Sequence, residues 1–177
     1  ITDTARFTVS QPADVVYNGL EQRQDVTVAD SKTGEDLAEG ADYTLAYSDD
    51  ATNVGTVTVT VTGTGNYAGE VVRTYQITPA TLTVTTPSAS KVYDGTALTA
   101  DGTISGLVNG ETATFATTGT QTAKGSSDNT YSLTWDGTAK ASNYTVADTI
   151  GTLEVTAANI TDTARFTVSQ PADVVYN

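Results

Sequence analysis

Between Gly55 and Gly63 the chain reads GTVTVTVTG. Strict alternation of apolar and hydroxyl-bearing residues has the two-residue period of a pleated strand, so Val57, Val59 and Val61 share one face and Thr58, Thr60 and Thr62 the other. A helix would scatter the valines around its axis, and one face of the strand must therefore be covered by a core. DYTLAYS repeats the pattern with Tyr43, Leu45 and Tyr47. The 37 threonines of the chain extend it, because β-branched side chains fit a half-exposed sheet. The fold class is all-β.

Further strands are expected at Phe7–Ser10, Ala13–Tyr17, Asp25–Ala29 and Val71–Thr78. Turn signals separate them at Asn18-Gly19, Gly34, Gly40 and Gly63-Thr64-Gly65-Asn66. A second series follows around Leu82/Val84, Ile104, Phe115, Tyr131/Leu133/Trp135, Tyr144/Val146 and Leu153/Val155. Its turns fall at Asp94-Gly95, Asp101-Gly102, Asn109-Gly110 and Asp136-Gly137. Short strands at this spacing predict two tandem β-sandwich modules of immunoglobulin-like type placed end to end, with β-grasp-like modules as the alternative.

Repetition sets the organisation. ITDTARFTVSQPADVVYN occurs as Ile1–Asn18 and again, letter for letter, as Ile160–Asn177. Strands tolerate many sequences, so identity over this length marks recent duplication and a period of 159 residues. Inside the period ADVVYNG (Ala13–Gly19) echoes ASKVYDG (Ala89–Gly95), and Asn66-Tyr67 echoes Asn143-Tyr144, at offsets of 76 and 77. The expected modules are residues 1–79 and 80–159, with 160–177 as the first strands of the next repeat. The joints ITPATLTV and VTAANITD pass from strand to strand with almost no slack, which predicts restricted bending.

Composition excludes whole classes of chemistry. The chain has no Cys, Met or His, which removes thiol nucleophiles, soft metal ligands, thioester chemistry and the usual proton shuttle near neutrality. A formal net charge of -13 repels phosphate backbones and anionic lipid, so neither nucleic acid nor membrane insertion is expected, and no stretch is apolar enough to span a bilayer.

Asp42–Thr78, with its DYTLAY strand, N-V-G-T turn, Val/Thr strand and GTGNY step, resembles the MBG and bacterial Ig-like modules of large bacterial surface adhesins. KVYDGT (Lys91–Thr96), ISGLVNGE (Ile104–Glu111) and NYTV (Asn143–Val146) resemble the YDG module that accompanies them; Thr117–Thr130 has no counterpart. The resemblance implies a non-enzymatic stalk repeat at the bacterial surface or cell wall, with no catalytic, cofactor or metal residues to carry over. A repeated binding module that contacts host glycan or protein through avidity is the alternative.

Individual residues are read against that background. Asp49-Asp50 and the group Asp30, Glu35 and Asp36 are expected to be solvated acidic turns, since the spacing of a calcium loop is missing and wet loop tips do not raise a glycosidase acid. Trp135 should belong to the core. Tyr17 and Tyr93 should be strand-end plugs with the ring inward and the hydroxyl bonded. Lys91 with Asn143 suggests an intramolecular cross-link, but the first module has no lysine to match it at Asp14-Val15, and an exposed Lys91 is expected instead. In 160–177, Phe166, Val168, Val175 and Tyr176 should lack a core, so that this segment can replace Ile1–Asn18 of another copy, head to tail.

Overall fold

The computed structural model describes residues 1–48 and 50–173; Asp49, Val175 and Tyr176 therefore lie outside the described residues. The fold is all-β, with several small sheets and, among the described residues, one turn of 3-10 helix at Ala141–Asn143. The strands are β1 (Phe7–Val9), β2 (Val15–Val16), β3 (Val28–Asp30), β4 (Glu35–Asp36), β5 (Tyr43–Tyr47), β6 (Gly55–Gly63), β7 (Glu70–Thr78), β8 (Ala80–Thr85), β9 (Ala89–Val92), β10 (Thr103–Ser105), β11 (Thr114–Thr117), β12 (Gly125–Asp128), β13 (Tyr131–Thr134), β14 (Tyr144–Thr149) and β15 (Thr152–Thr156).

The chain forms two compact units. The first comprises Ile1–Val84, Ile104–Phe115 and Leu133–Asp148, and the second Thr85–Thr103, Ala116–Ser132 and Thr149–Asn177. Its Val/Thr strand is the spine of the first unit: β6 pairs antiparallel with β7 on one side and β5 on the other, in the order β2-β7-β6-β5. The alternation does what its period demands, since Val57, Val59 and Val61 are fully buried while the threonines between them are not. They pack with Val26, Val28, Tyr75, Ile77 and Leu82. A second sheet, β1-β3-β4, is antiparallel throughout, and a third runs β10-β8-β14. Strand β8 follows β7 after Pro79 alone, as the joint ITPATLTV predicts.

Gly106 shows why that third sheet closes. It has φ of 103°, and a Cβ there would lie 2.3 Å from the Thr81 carbonyl oxygen, so only glycine lets the chain leave β10 hard against β8.

In the second unit β15 is central, antiparallel to β12 and parallel to β9, with Leu153 and Val155 facing inward. A polar rivet holds its loops: Asn129, fully buried, donates through Nδ2 to the carbonyls of Pro87 and Ala100, both at 2.9 Å. Its backbone N–H donates to Gly151 O at 2.8 Å. Its Oδ1 has no partner among the described residues. Strands β11 and β13 pair as a two-stranded ribbon.

Two elements depart from the sequence reading. Glu35 and Asp36 were expected in a loop but form β4, because Gly34 at φ 75° turns the chain back onto β3. The unmatched stretch 117–130 contains β12, whose residues GSSD offer no apolar alternation and gain their strand geometry from the backbone ladder to β15.

Candidate interaction site

The first copy of the duplicated segment lies along the first unit as a thread through two sheet edges. Strand β1 pairs antiparallel with β3, and β2 pairs parallel with β7; each is the outermost strand of its sheet. Backbone and side chain bind it along its length. The Ile1 nitrogen donates to Ala68 O. Arg73 Nη2 donates to Val9 O at 3.1 Å, Gln11 Nε2 to Thr74 O at 2.5 Å, and the Gln76 N–H to Asp14 Oδ1 at 2.7 Å.

Arg6 supplies the charge lock. Its Nε and Nη2 reach the two carboxylate oxygens of Asp30 at 3.0 and 2.7 Å, a bidentate fork over a fully buried side chain. The Arg6 hydrogen bonds hold the Asp30 carboxyl down at about 2, against an ordinary value of 3.8, with help from the Lys32 backbone N–H. Asp30 is therefore not the solvated turn acid expected from sequence. Burial beside Gly34 left it dependent on a cation 24 residues away, a distance that no local pattern reveals.

Two tyrosines of the NY echo grip the two ends of the thread. Tyr67 meets Phe7 edge-on, ring centroids 5.9 Å apart at 83°, and Tyr144 meets Tyr17 in nearly the same geometry, 5.7 Å and 81°. The Tyr17 and Tyr144 hydroxyls both donate to the Glu111 carboxylate, one to each oxygen. Burial and that carboxylate push the Tyr144 hydroxyl up to about 12, and raise Tyr17 for the same reasons. Tyr17 is thus the inward plug its position predicts. Trp135 stacks on Tyr144 at 5.5 Å and packs against the core of the first unit, as expected. Glu111 went unsingled by sequence reasoning, although it ends the quoted ISGLVNGE motif.

The remaining polar candidates are engaged within their own surroundings. Asp50 accepts from the backbone N–H groups of Thr52 and Asn53 and from the Asn53 side chain, and these bonds lower its pKa. Lys91 Nζ donates to Asp94 Oδ1 at 2.8 Å and to both the carbonyl and the hydroxyl of Thr96 at 2.7 Å, and it holds the Asp94 carboxyl well below the ordinary range. Lys91 is half-buried rather than free in solvent, because KVYDGT curls its own acceptors around the amine. The Asn143 amide is occupied by Asn53 Oδ1 at 2.9 Å and by the Val54 N–H at 3.0 Å. Among the described residues no group of three or more acids could hold a metal ion.

The second copy has the same sequence in different surroundings. The local turn is preserved: the Phe166 N–H donates to Asp162 O at 2.8 Å, as Phe7 does to Asp3 at 2.8 Å, and each Arg lies over the following ring. The first strand is not. Among the described residues 160–173 none is in a strand, Ile160 is 70 % exposed where Ile1 is 6 %, and Val168 is 76 % exposed. Phe166 is half-buried beside a concavity of about 640 Å³ lined also by Tyr93, Lys124, Ala157, Ile160 and Arg165. Tyr93, expected as an inward plug, is instead 43 % exposed there.

Strand-edge seating by aromatic and ionic side chains, on an all-β scaffold, describes a β-sheet module. Residues 82–154 match the family described as MBG domain (YGX type), and these residues include KVYDGT and NYTV. From sequence the MBG resemblance rests on Asp42–Thr78 and the YDG resemblance on the second module; the MBG match falls on the second module. No curated protein matches the chain.

Proposed function

We propose that this chain is one period of a non-enzymatic stalk in an extracellular bacterial adhesin, which projects a binding domain from the cell surface by copy number. The observation that carries this reading is the identical segment 159 residues apart, whose first copy is an integral part of a folded unit. A sequence that seats itself at the start of every period lets units be added without redesigning a junction. The MBG match supports the surface setting. The boundaries at 79/80 and 159/160 mark two β-sandwich modules by ancestry; compaction follows another division, because the first unit draws residues from both. Threonine faces and a net charge of -13 keep such an array soluble.

The test is scaling. Chains of one, two and four periods should give a radius of gyration in small-angle scattering that rises in proportion to the number of periods. Growth with only about the 0.38 power of length, as in a single globule, would overturn the stalk reading. The exposed Tyr93 beside its concavity favours the second reading, a module that binds host glycan or protein through avidity. Saturable binding on a glycan array, lost on Tyr93→Ala, would decide for it.

A further inference from the structure

We propose that Ile160–Asn177 is a transferable strand donor, able to take the seat of Ile1–Asn18 in a second copy of this chain and so link copies head to tail. The seat is defined residue by residue: Asp30 for an arginine, Tyr67 for a phenylalanine, the β3 edge for a three-residue strand, the β7 edge for a two-residue strand, and Glu111 with Tyr144 for a tyrosine. The second copy carries each of these ligands in the same order, with Arg165 and Phe166 in the places of Arg6 and Phe7. It already holds the turn that presents them, from Asp162 to Phe166. Its Ile160 and Val168 are exposed, whereas Ile1 is buried in the seat.

Exchange is nearly neutral in contact energy, because one sequence replaces itself. Both seated strands are outermost in their sheets, so the thread can leave without separating any other pair of strands. What opposes exchange is the tether. The resident copy competes at an effective concentration on the order of 1 mM, and the intruder only at its bulk concentration. The link is heterologous, so repeated exchange builds open chains of molecules rather than closed pairs.

Cysteine trapping reads it directly, in a background with no cysteine. Thr8 and Ala29 are cross-strand partners between β1 and β3, and Thr167 is the counterpart of Thr8. The full chain carrying Ala29→Cys and Thr167→Cys should form a disulfide ladder of dimers and higher species under mild oxidation. Its initial rate per chain should fall about a hundredfold between about 1 mM and about 10 μM. Thr8→Cys with Ala29→Cys should close within one chain at every concentration, which establishes that the position folds and oxidises. No ladder at 1 mM while that control closes would overturn the proposal, as would a ladder whose rate ignores concentration. Adding Arg6→Ala and Phe7→Ala to the trapping pair weakens the resident copy and should speed the ladder at least tenfold; further adding Arg165→Ala and Phe166→Ala should return it to the starting rate. Equal rates in all three chains would mean that the seat does not recognise the segment.

Discussion

Asp30 makes the first unit sensitive to acid. Its folded pKa, near 2, lies below the ordinary 3.8, so the stabilisation it brings is complete above pH 4 and disappears as pH falls through 2. The melting temperature should drop through that window. Asp30→Asn should be less stable at neutral pH and flatter in acid; an unchanged acid limb would refute the assignment. Tyr144 works at the other end. A hydroxyl raised from 10.0 to about 12 contributes stability that is full below pH 10 and lost as pH rises through 12. Absorbance at 295 nm should show this tyrosine ionising late, and Glu111→Gln should bring it nearer its ordinary value by removing the charge that opposes phenolate. Tyr144→Phe leaves the Val108 N–H, which now donates to the hydroxyl at 3.1 Å, without its acceptor, and should cost about 1–3 kcal/mol by denaturant unfolding.

At the scale of the strand, the decisive property is which face a side chain occupies. Val59→Thr keeps the shape of the side chain but places a hydroxyl among fully buried valines, and should cost about 1–3 kcal/mol. Thr60→Val, one residue along and facing the other way, should change stability by no more than about 0.5 kcal/mol. Equal effects from the two would show that the period-two pattern has no bearing on burial. That pattern is also why β5, β6, β7, β8 and β15 were legible in the sequence: each carries apolar residues two apart, and burial follows from the pleat alone. Strand β12 carries none, and it exists because β15 offers it a backbone edge. Tyr17 could be read as a plug from its place before Asn18-Gly19, but its acceptor Glu111 is 94 residues away and entered the site only through tertiary structure. Arg6 was hidden for the same reason, because an ion pair has a distance in space and no period in sequence. The duplicated segment separates the two kinds of information within one molecule: its turn forms in both copies, and its first strand only where β3 offers an edge.

At the scale of the whole molecule, three acids are held by protein groups. Asp30 has Arg6, Asp50 has its own turn, and Asp94 has Lys91 and Thr96. Thermal midpoints should therefore agree within error in chelator and in millimolar calcium, since a bound ion that favoured the folded state would raise them. A shift of several degrees would reveal a site the carboxylates share. The composition of the first unit has a consequence for how the protein is made. That unit needs Ile104–Phe115 and Leu133–Asp148 as well as Ile1–Val84. A chain leaves the ribosome, and any secretion pore, N-terminus first. Tyr17 and Glu111 can meet early, but Trp135 and Tyr144, which complete the aromatic grip, are delivered last. Chains arrested just after Phe115 should be cut readily by protease, and chains arrested beyond Asp148 should resist. In the stalk proposed above, synthesis would then advance in steps of almost a whole period, each step leaving a long vulnerable stretch that becomes safe only when its final residues emerge.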